Sequence, residues 1–177
     1  MRKSNIYKKA LEFTLKWEAG LTEDGKTNKG ITQETYDHYR KTKYLDKKYV
    51  SQITQEEVDE IYFNIWIDSG CPYLPGLLAI VHFDSTVQFG QRDAIKILQR
   101  SMNLNPNGIM DMMTIGKANS YENTKALAYN YCYHRQLKRK AVVLSKPHLF
   151  KYQQGWNNRD QALIKYVTRD LSEDLDV

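Results

Sequence analysis

Apolar residues recur at helical intervals along most of the chain. Ile6, Ala10, Phe13 and Trp17 stand at i, i+4, i+7 and i+11, with Leu11 and Leu15 widening the stripe. That spacing predicts a core-facing helix over residues 5–19, stopped by Gly20. The segment from Thr22 to Gly30 is rich in turn formers and poor in apolar residues, so it reads as a loop or short hairpin turning at Asp24-Gly25. Thr54 and Glu57 have the spacing of a capping box, and Val58, Ile61, Tyr62, Ile65 and Trp66 follow on one helical face. Gly70, Pro72, Pro75 and Gly76 punctuate the next connection, after which the apolar run 77–89, closed by Gly90, predicts a buried central helix. Ile95, Leu98 and Met102 continue the helical period, Pro106 and Gly108 break it, and a short helix is expected from about Asp111. Leu127, Tyr131, His134 and Leu137 predict another helix, with Arg135, Lys138, Arg139 and Lys140 toward its end, where cations complement the helix dipole. Leu163, Ile164, Val167 and Leu171 mark a last helix, followed by a frayed acidic tail carrying Glu173, Asp174 and Asp176. No long alternating run suggests a strand, so the fold class expected is mainly α.

Composition narrows the function classes. A chain of 177 residues, 41% hydrophobic and 27% charged, can bury a core without staples and is neither collagen-like nor low in complexity. Its longest apolar stretches fall far short of the roughly 18 residues needed to cross a bilayer. Met1-Arg2-Lys3-Ser4-Asn5 leads into Tyr7-Lys8-Lys9 rather than an apolar segment, so no signal peptide is visible and synthesis in the cytoplasm is expected. Cys71 and Cys132 read as free thiols. Residues 1–90 carry a net charge of −1 and residues 91–177 a net charge of +6. The second half is thus drawn to a polyanion, whether nucleic acid, an anionic membrane surface or the acidic polymers of a bacterial wall. No Cys/His cluster has metal-ligand spacing, no Gly-rich phosphate loop is present and no Ser/His/Asp set stands out.

Glu18 is the first candidate for chemistry, because it continues the line of Leu11 and Leu15 to the helix end where the polar loop begins. A carboxyl half removed from water favours its neutral form and can donate a proton near neutral pH. Asp24 and Thr27 follow six and nine residues later, close enough for the loop to bring a carboxylate and a hydroxyl to the same place. One acid, one base and one water-positioning hydroxyl suffice to hydrolyse a glycosidic bond. Each of these residues also has an ordinary structural role open to it, as surface Glu, turn Asp and loop Thr.

The run Phe13-Thr14-Leu15-Lys16-Trp17-Glu18-Ala19-Gly20, followed by Asp24-Gly25-Lys26-Thr27-Asn28-Lys29-Gly30-Ile31-Thr32, resembles the E-G-G... D-P-G-G-x-T-N-x-G-I-T signature of family 108 glycoside hydrolases. The likeness continues through Ile53-Thr54, Tyr62 and Trp66, through Phe83-Asp84-Ser85-Thr86-Val87-Gln88-Phe89-Gly90, and to Gly155-Trp156-Asn157-Asn158-Arg159. Ala19 departs from the first Gly of the signature, and the loop is shorter than the family pattern. The resemblance implies a lysozyme-like, two-lobed helical fold with a cleft, made of a catalytic lobe over 1–90 and a helical peptidoglycan-binding lobe over 91–177 packed as one unit. It implies Glu18 as catalytic acid, with Asp24 and Thr27 serving the attacking water. Tyr36 and Tyr39, beside the loop, and Asp84, in the family's F-D motif, are the expected substrate-binding residues. In the second lobe, Asn107-Gly108-Ile109-Met110 before Thr114 is similar to a D-G-x-x-G-x-x-T submotif, with Asn107 for its Asp and Asp111 for its second Gly. Trp156 and Arg159 are read as packing of the last helix.

The activity implied is that of phage and bacterial N-acetylmuramidases: hydrolysis of the β-1,4 bond between N-acetylmuramic acid and N-acetylglucosamine, with no cofactor and no metal. The partners implied are peptidoglycan glycan strands, an anionic wall or membrane surface for the basic half, and a larger phage or secretion assembly, with no specific nucleic acid. Action in the periplasm or at the wall would follow holin-dependent or secretion-machine release. Three rivals are a lytic transglycosylase, which needs only the Glu, a non-catalytic wall-binding or adaptor protein with a degenerate lysozyme fold, and, last, nucleic-acid binding through the basic half, for which no reading motif is recognisable.

Overall fold

The computed structural model describes residues 2–18 and 20–169. Ala19, Leu171 and the acidic tail expected beyond it lie outside the described residues. Eight α-helices and one two-stranded hairpin make up the regular structure of the described chain, together with short 3₁₀ turns. The fold is therefore mainly α-helical, as the periodicity indicates. The chain divides into two compact units between Asp68 and Ser69.

The first unit contains α1 (Arg2–Leu15), the strands β1 (Thr27–Asn28) and β2 (Ile31–Thr32), α2 (Gln33–Thr42) and α3 (Gln55–Asp68). Helix α1 ends at Leu15, earlier than its apolar stripe suggests, and Trp17 beyond it is partly exposed. The capping box is formed: Glu57 N–H donates to Thr54 Oγ1 at 3.3 Å, and Thr54 N–H donates to Glu57 Oε2 at 3.1 Å. Behind it, Val58, Ile61, Tyr62 and Trp66 are buried. The ring of Tyr7 on α1 meets Phe63 and Trp66 of α3, each with centroids 5.4 Å apart, which ties these two helices by aromatic contact.

Helix α2 has no counterpart in the apolar pattern, because its inward face is Tyr36, Tyr39 and Arg40 rather than aliphatic. Polar partners on α3 make that face buriable. Arg40 Nη1 donates to Glu57 Oε1 at 2.5 Å, and the Tyr39 hydroxyl donates to Glu60 Oε2 at 2.6 Å. Its N-terminus is capped by Thr32, whose side chain accepts from Thr35 N–H. At its other end Tyr44 holds the left-handed conformation, φ +56°, while Leu45 N–H reaches back to Arg40 O at 2.9 Å. Glycine normally occupies this position, since a Cβ there costs about 1–2 kcal/mol.

The second unit is built on α4 (Gly76–Phe89), α5 (Gln91–Ser101), α6 (Met112–Asn119), α7 (Thr124–Ser145) and α8 (Gln153–Thr168). Helix α4 is the buried central helix, packed on α5 and α7, so the division falls at 68/69 rather than at 90/91. Asp84 of α4 is wholly buried and is held by Arg135 Nη1 at 2.8 Å and Arg159 Nη2 at 2.5 Å. Asp160 receives Arg135 Nη2 at 3.0 Å and Arg139 Nε at 2.8 Å. Burial pushes the Asp84 carboxyl up, but the two guanidiniums outweigh it and hold the group below the usual carboxylate range. Arg135 and Arg139 thus serve buried ion pairs rather than the α7 dipole, and α7 continues to Ser145 with no basic residue in its last turn. Cys71 and Cys132 are free, as expected, and buried. Burial pushes both thiols up to about 12.

Candidate active site

Past the end of α1 the chain tightens, with Trp17 N–H bonded to Thr14 O at 3.0 Å and Glu18 N–H to Leu15 O at 3.3 Å. Glu18 is therefore in the connection after α1, partly buried, and not on the helix. What shelters its carboxyl is the hairpin. Thr27 pairs with Thr32 and Asn28 with Ile31, which leaves Lys29 and Gly30 as the two-residue turn. Both have positive φ, 49° and 75°, the signature of a type I′ turn. The hairpin turn is thus Lys29-Gly30 and not Asp24-Gly25. A Cβ built on Gly30 would lie 2.6 Å from Glu18 Oε2, 2.7 Å from the Tyr62 hydroxyl and 2.8 Å from Glu18 Cδ. Tyr62, from the buried face of α3, donates to Lys29 O at 2.7 Å. The carboxyl of Glu18, the Tyr62 hydroxyl and the backbone of the turn consequently meet where only a glycine fits.

The loop between Glu18 and the hairpin is organised by Thr22, a residue the sequence reading did not single out. Its hydroxyl donates to Asp24 Oδ1 at 2.7 Å and accepts from Thr27 N–H at 3.1 Å, while Thr22 N–H donates to Thr27 O at 2.8 Å. Asp24-Gly25 forms a separate turn, closed by Gly25 N–H to Thr22 O at 2.9 Å. The hydrogen bond from Thr22, reinforced by Lys26 N–H at 3.1 Å, holds the exposed Asp24 carboxyl below its ordinary range. Asp24 is thereby suited to act as a carboxylate and not as an acid at neutral pH. One hydroxyl therefore couples Asp24 and Thr27 inside a single loop. An ST-type side-chain turn is the signal that could have found Thr22.

The expected substrate contacts fare differently. Tyr36 is fully buried, with its hydroxyl donated to Glu57 Oε2 at 2.6 Å, and Tyr39 is buried against Glu60. Both rings serve the α2–α3 packing and present no face to a saccharide. Asp84 is consumed by Arg135 and Arg159 and is likewise structural. Arg159 of the closing motif is its partner, more than simple packing of the last helix, and Trp156 lies under the Arg139 guanidinium at 5.3 Å.

Within 91–119, the buried Gln99 organises the loop between α5 and α6. Its Nε2 donates to Asn107 Oδ1 at 2.7 Å and Ile109 O at 3.0 Å, and its Oε1 accepts from Gly108 N–H at 2.9 Å. Asp111 caps α6 by accepting from Thr114 N–H at 2.8 Å. The submotif residues thus hold their own loop. Among the described residues no cluster of three or more His, Cys, Asp or Glu could hold a metal ion, and no helix is long and apolar enough to cross a membrane.

Comparison with known proteins bears on both fold and chemistry. The chain is similar to the solved structure of SagA from Brucella abortus, at 19% identity, with 93% of this chain and 95% of that one covered and a TM-score of 0.78. At that identity the likeness shows the fold, which is mainly α-helical and lysozyme-like. No curated protein matches significantly. The family model described as glycosyl hydrolase 108 matches residues 11–90, a span containing Glu18, the Thr22 loop, the hairpin and Tyr62. Through these residues the first part of the chain is similar to the glycosyl hydrolase 108 family.

Proposed function

We propose that the protein hydrolyses the glycan strands of peptidoglycan at the β-1,4 bond between N-acetylmuramic acid and N-acetylglucosamine. The observation that carries the reading is the carboxyl of Glu18 held against Gly30 and Tyr62 under a type I′ turn, inside the segment that matches a glycosyl hydrolase family. In this reading Glu18 protonates the leaving glycosidic oxygen. Asp24, kept ionised by Thr22 and the Lys26 amide, either activates water or stabilises the oxocarbenium-like state, and Thr27 orients the water. The cationic second half favours adsorption to anionic wall or membrane surfaces, and the site of action is the wall, after release from the cytoplasm.

Clearing of purified peptidoglycan by the wild type and by Glu18→Gln tests the proposal. The amide keeps the shape and removes the proton, so the variant is expected to lose at least about 100-fold in rate, the contribution of a positioned acid. Equal clearing by both proteins would reject Glu18 as the acid. Product mass separates hydrolysis, which adds water, from transglycosylation, which yields an anhydro sugar. A protein that binds wall material and never clears it would be an adaptor.

A further inference from the structure

A groove in the first unit has no place in the reading so far. Two adjoining hollows, about 480 and 370 Å³, share Asp37 and Lys47 as lining residues. Lys48 and Tyr49 line one, Lys41 and Tyr44 the other. Arg40 and Lys43 of the same segment are engaged by Glu57 and Glu60, whereas Lys41, Lys47 and Lys48 make no ion pair among the described residues. Of the nearby carboxylates, Asp37 accepts from Gln33 Nε2 at 2.9 Å, Asp46 lies between the lysines in sequence, and Glu57, already paired with Arg40, also feels the charge of Lys48. The groove is therefore cationic overall.

Its two tyrosines are unusual. Tyr49 is 76% exposed and Tyr44 97% exposed, so neither ring contributes to the core. Tyr44 also holds the left-handed position at the end of α2 that glycine would fill without strain. A strained backbone carrying a ring that packs on nothing gives no benefit to folding, and such outliers cluster at binding sites. The groove is also tied to the hairpin. Gln33 lines it, donates its N–H to Lys26 O at 2.8 Å, and fixes the 47–50 segment through Lys48 O at 2.8 Å and Val50 N–H at 2.7 Å. Gln33 opens α2, and only the two residues of β2 separate it from Gly30, where the Glu18 carboxyl sits.

We infer that this groove binds the stem peptide of peptidoglycan through its free carboxylates. The inference rests on the proposed function for its substrate. The sugars of the strand are uncharged once the lactyl carboxyl is joined to the peptide, so three lysines find no partner on the glycan itself. The stem peptide supplies carboxylates for Lys41, Lys47 and Lys48, and apolar side chains and methyl groups for the tyrosine faces. A peptide branching from a sugar near Glu18 has only this short stretch of chain to pass.

Retention on wall material tests the inference, with every variant made in the Glu18→Gln background so that binding is read without cleavage. Intact sacculi are compared with sacculi stripped of peptides by an amidase that cuts at the lactyl group, the lactyl carboxyls thus freed being converted to amides so that the control glycan is uncharged. Lys47→Gln with Lys48→Gln is expected to weaken retention on intact sacculi by about tenfold at low salt, the scale of two exposed charge pairs, and to leave retention on peptide-free glycan unchanged. Tyr44→Gly is expected to weaken retention on intact sacculi while raising the melting temperature by about 2–4 °C, so misfolding cannot account for the loss. Equal losses on both materials, no loss on either, or a loss confined to wall carrying phosphate polymers would each overturn the inference. If the wild type fails to clear peptidoglycan, the hydrolytic reading fails while the peptide-dependent difference in retention still reports on the groove.

Discussion

Gly30→Ala is the most direct test of how the hairpin holds Glu18. The new methyl would enter at 2.6–2.8 Å from the Glu18 carboxyl and 2.7 Å from the Tyr62 hydroxyl, where ordinary contact begins near 3.4 Å. Both groups sit at the far ends of side chains, so they can retreat, and the retreat needed is close to an ångström. The folding cost is then mainly that of a left-handed alanine, about 1–2 kcal/mol. The cost to the reaction is larger, because displacing a catalytic group by about 1 Å removes on the order of 100-fold in rate. Gly25→Ala is the matched control: its φ of 68° carries the same strain, and a Cβ there meets nothing within 4 Å. Melting temperature and kcat on purified peptidoglycan, measured for both variants, should show similar losses of stability and a much greater loss of rate for Gly30→Ala. Wild-type kcat in a destabilised Gly30→Ala protein would refute the idea that this turn positions the acid.

Two predictions concern the second unit. Asp84→Asn removes the charge that Arg135 and Arg159 share and should cost about 3–5 kcal/mol in chemical denaturation, with Lys47→Gln as a surface reference near zero; a cost below 1 kcal/mol would show that the network contributes little. His82 is fully buried, with Nε2 3.0 Å from Ser69 O and Nδ1 2.9 Å from the Tyr131 hydroxyl, and burial brings its pKa down to about 4. The Tyr131 hydroxyl has one proton for two acceptors, His82 Nδ1 and Ala94 O at 2.8 Å, so a neutral imidazole is satisfied only by sharing it. Because the unfolded histidine takes up its proton near pH 6.5 and the folded one only near 4, this group's stabilisation is complete above pH 6.5 and is lost as pH falls toward 4, by about 3 kcal/mol in all. Denaturant midpoints across that range should show the slope in the wild type and a flatter one in His82→Gln; identical slopes would contradict the assignment.

Much of the helical framework is legible in the sequence because most helices bury an aliphatic stripe. Val58, Ile61, Tyr62 and Trp66 on α3 and the apolar run of α4 carry that signal directly. Helix α2 is illegible for the opposite reason: its buried face is Tyr36, Tyr39 and Arg40, polar residues that become buriable only beside Glu57 and Glu60 about twenty residues on. The same contacts explain why tyrosines next to the loop read as saccharide contacts and are instead interior. Glu18 is legible from its family-like motif, but its setting is not. The stripe of α1 extends through Trp17 in sequence, while the chain leaves the helix after Leu15, and the group that closes over the carboxyl is the Lys29-Gly30 turn. Asn, Asp and Gly next to lysine offer several turn positions, and strand pairing decides among them. Thr22 shows the limit most clearly, since a threonine hydroxyl has no pattern until the loop has folded around it.

The charges buried in the second unit also set a schedule for biosynthesis. Asp84 leaves the ribosome 51 residues ahead of Arg135 and 75 ahead of Arg159. Until the sequence of α8 has been translated, the nascent α4 carries a carboxylate whose destination is dry and whose second counter-ion does not exist. A chain arrested before residue 159 therefore cannot close this interior without leaving ions uncompensated, so completion of the unit waits for the codons of α8.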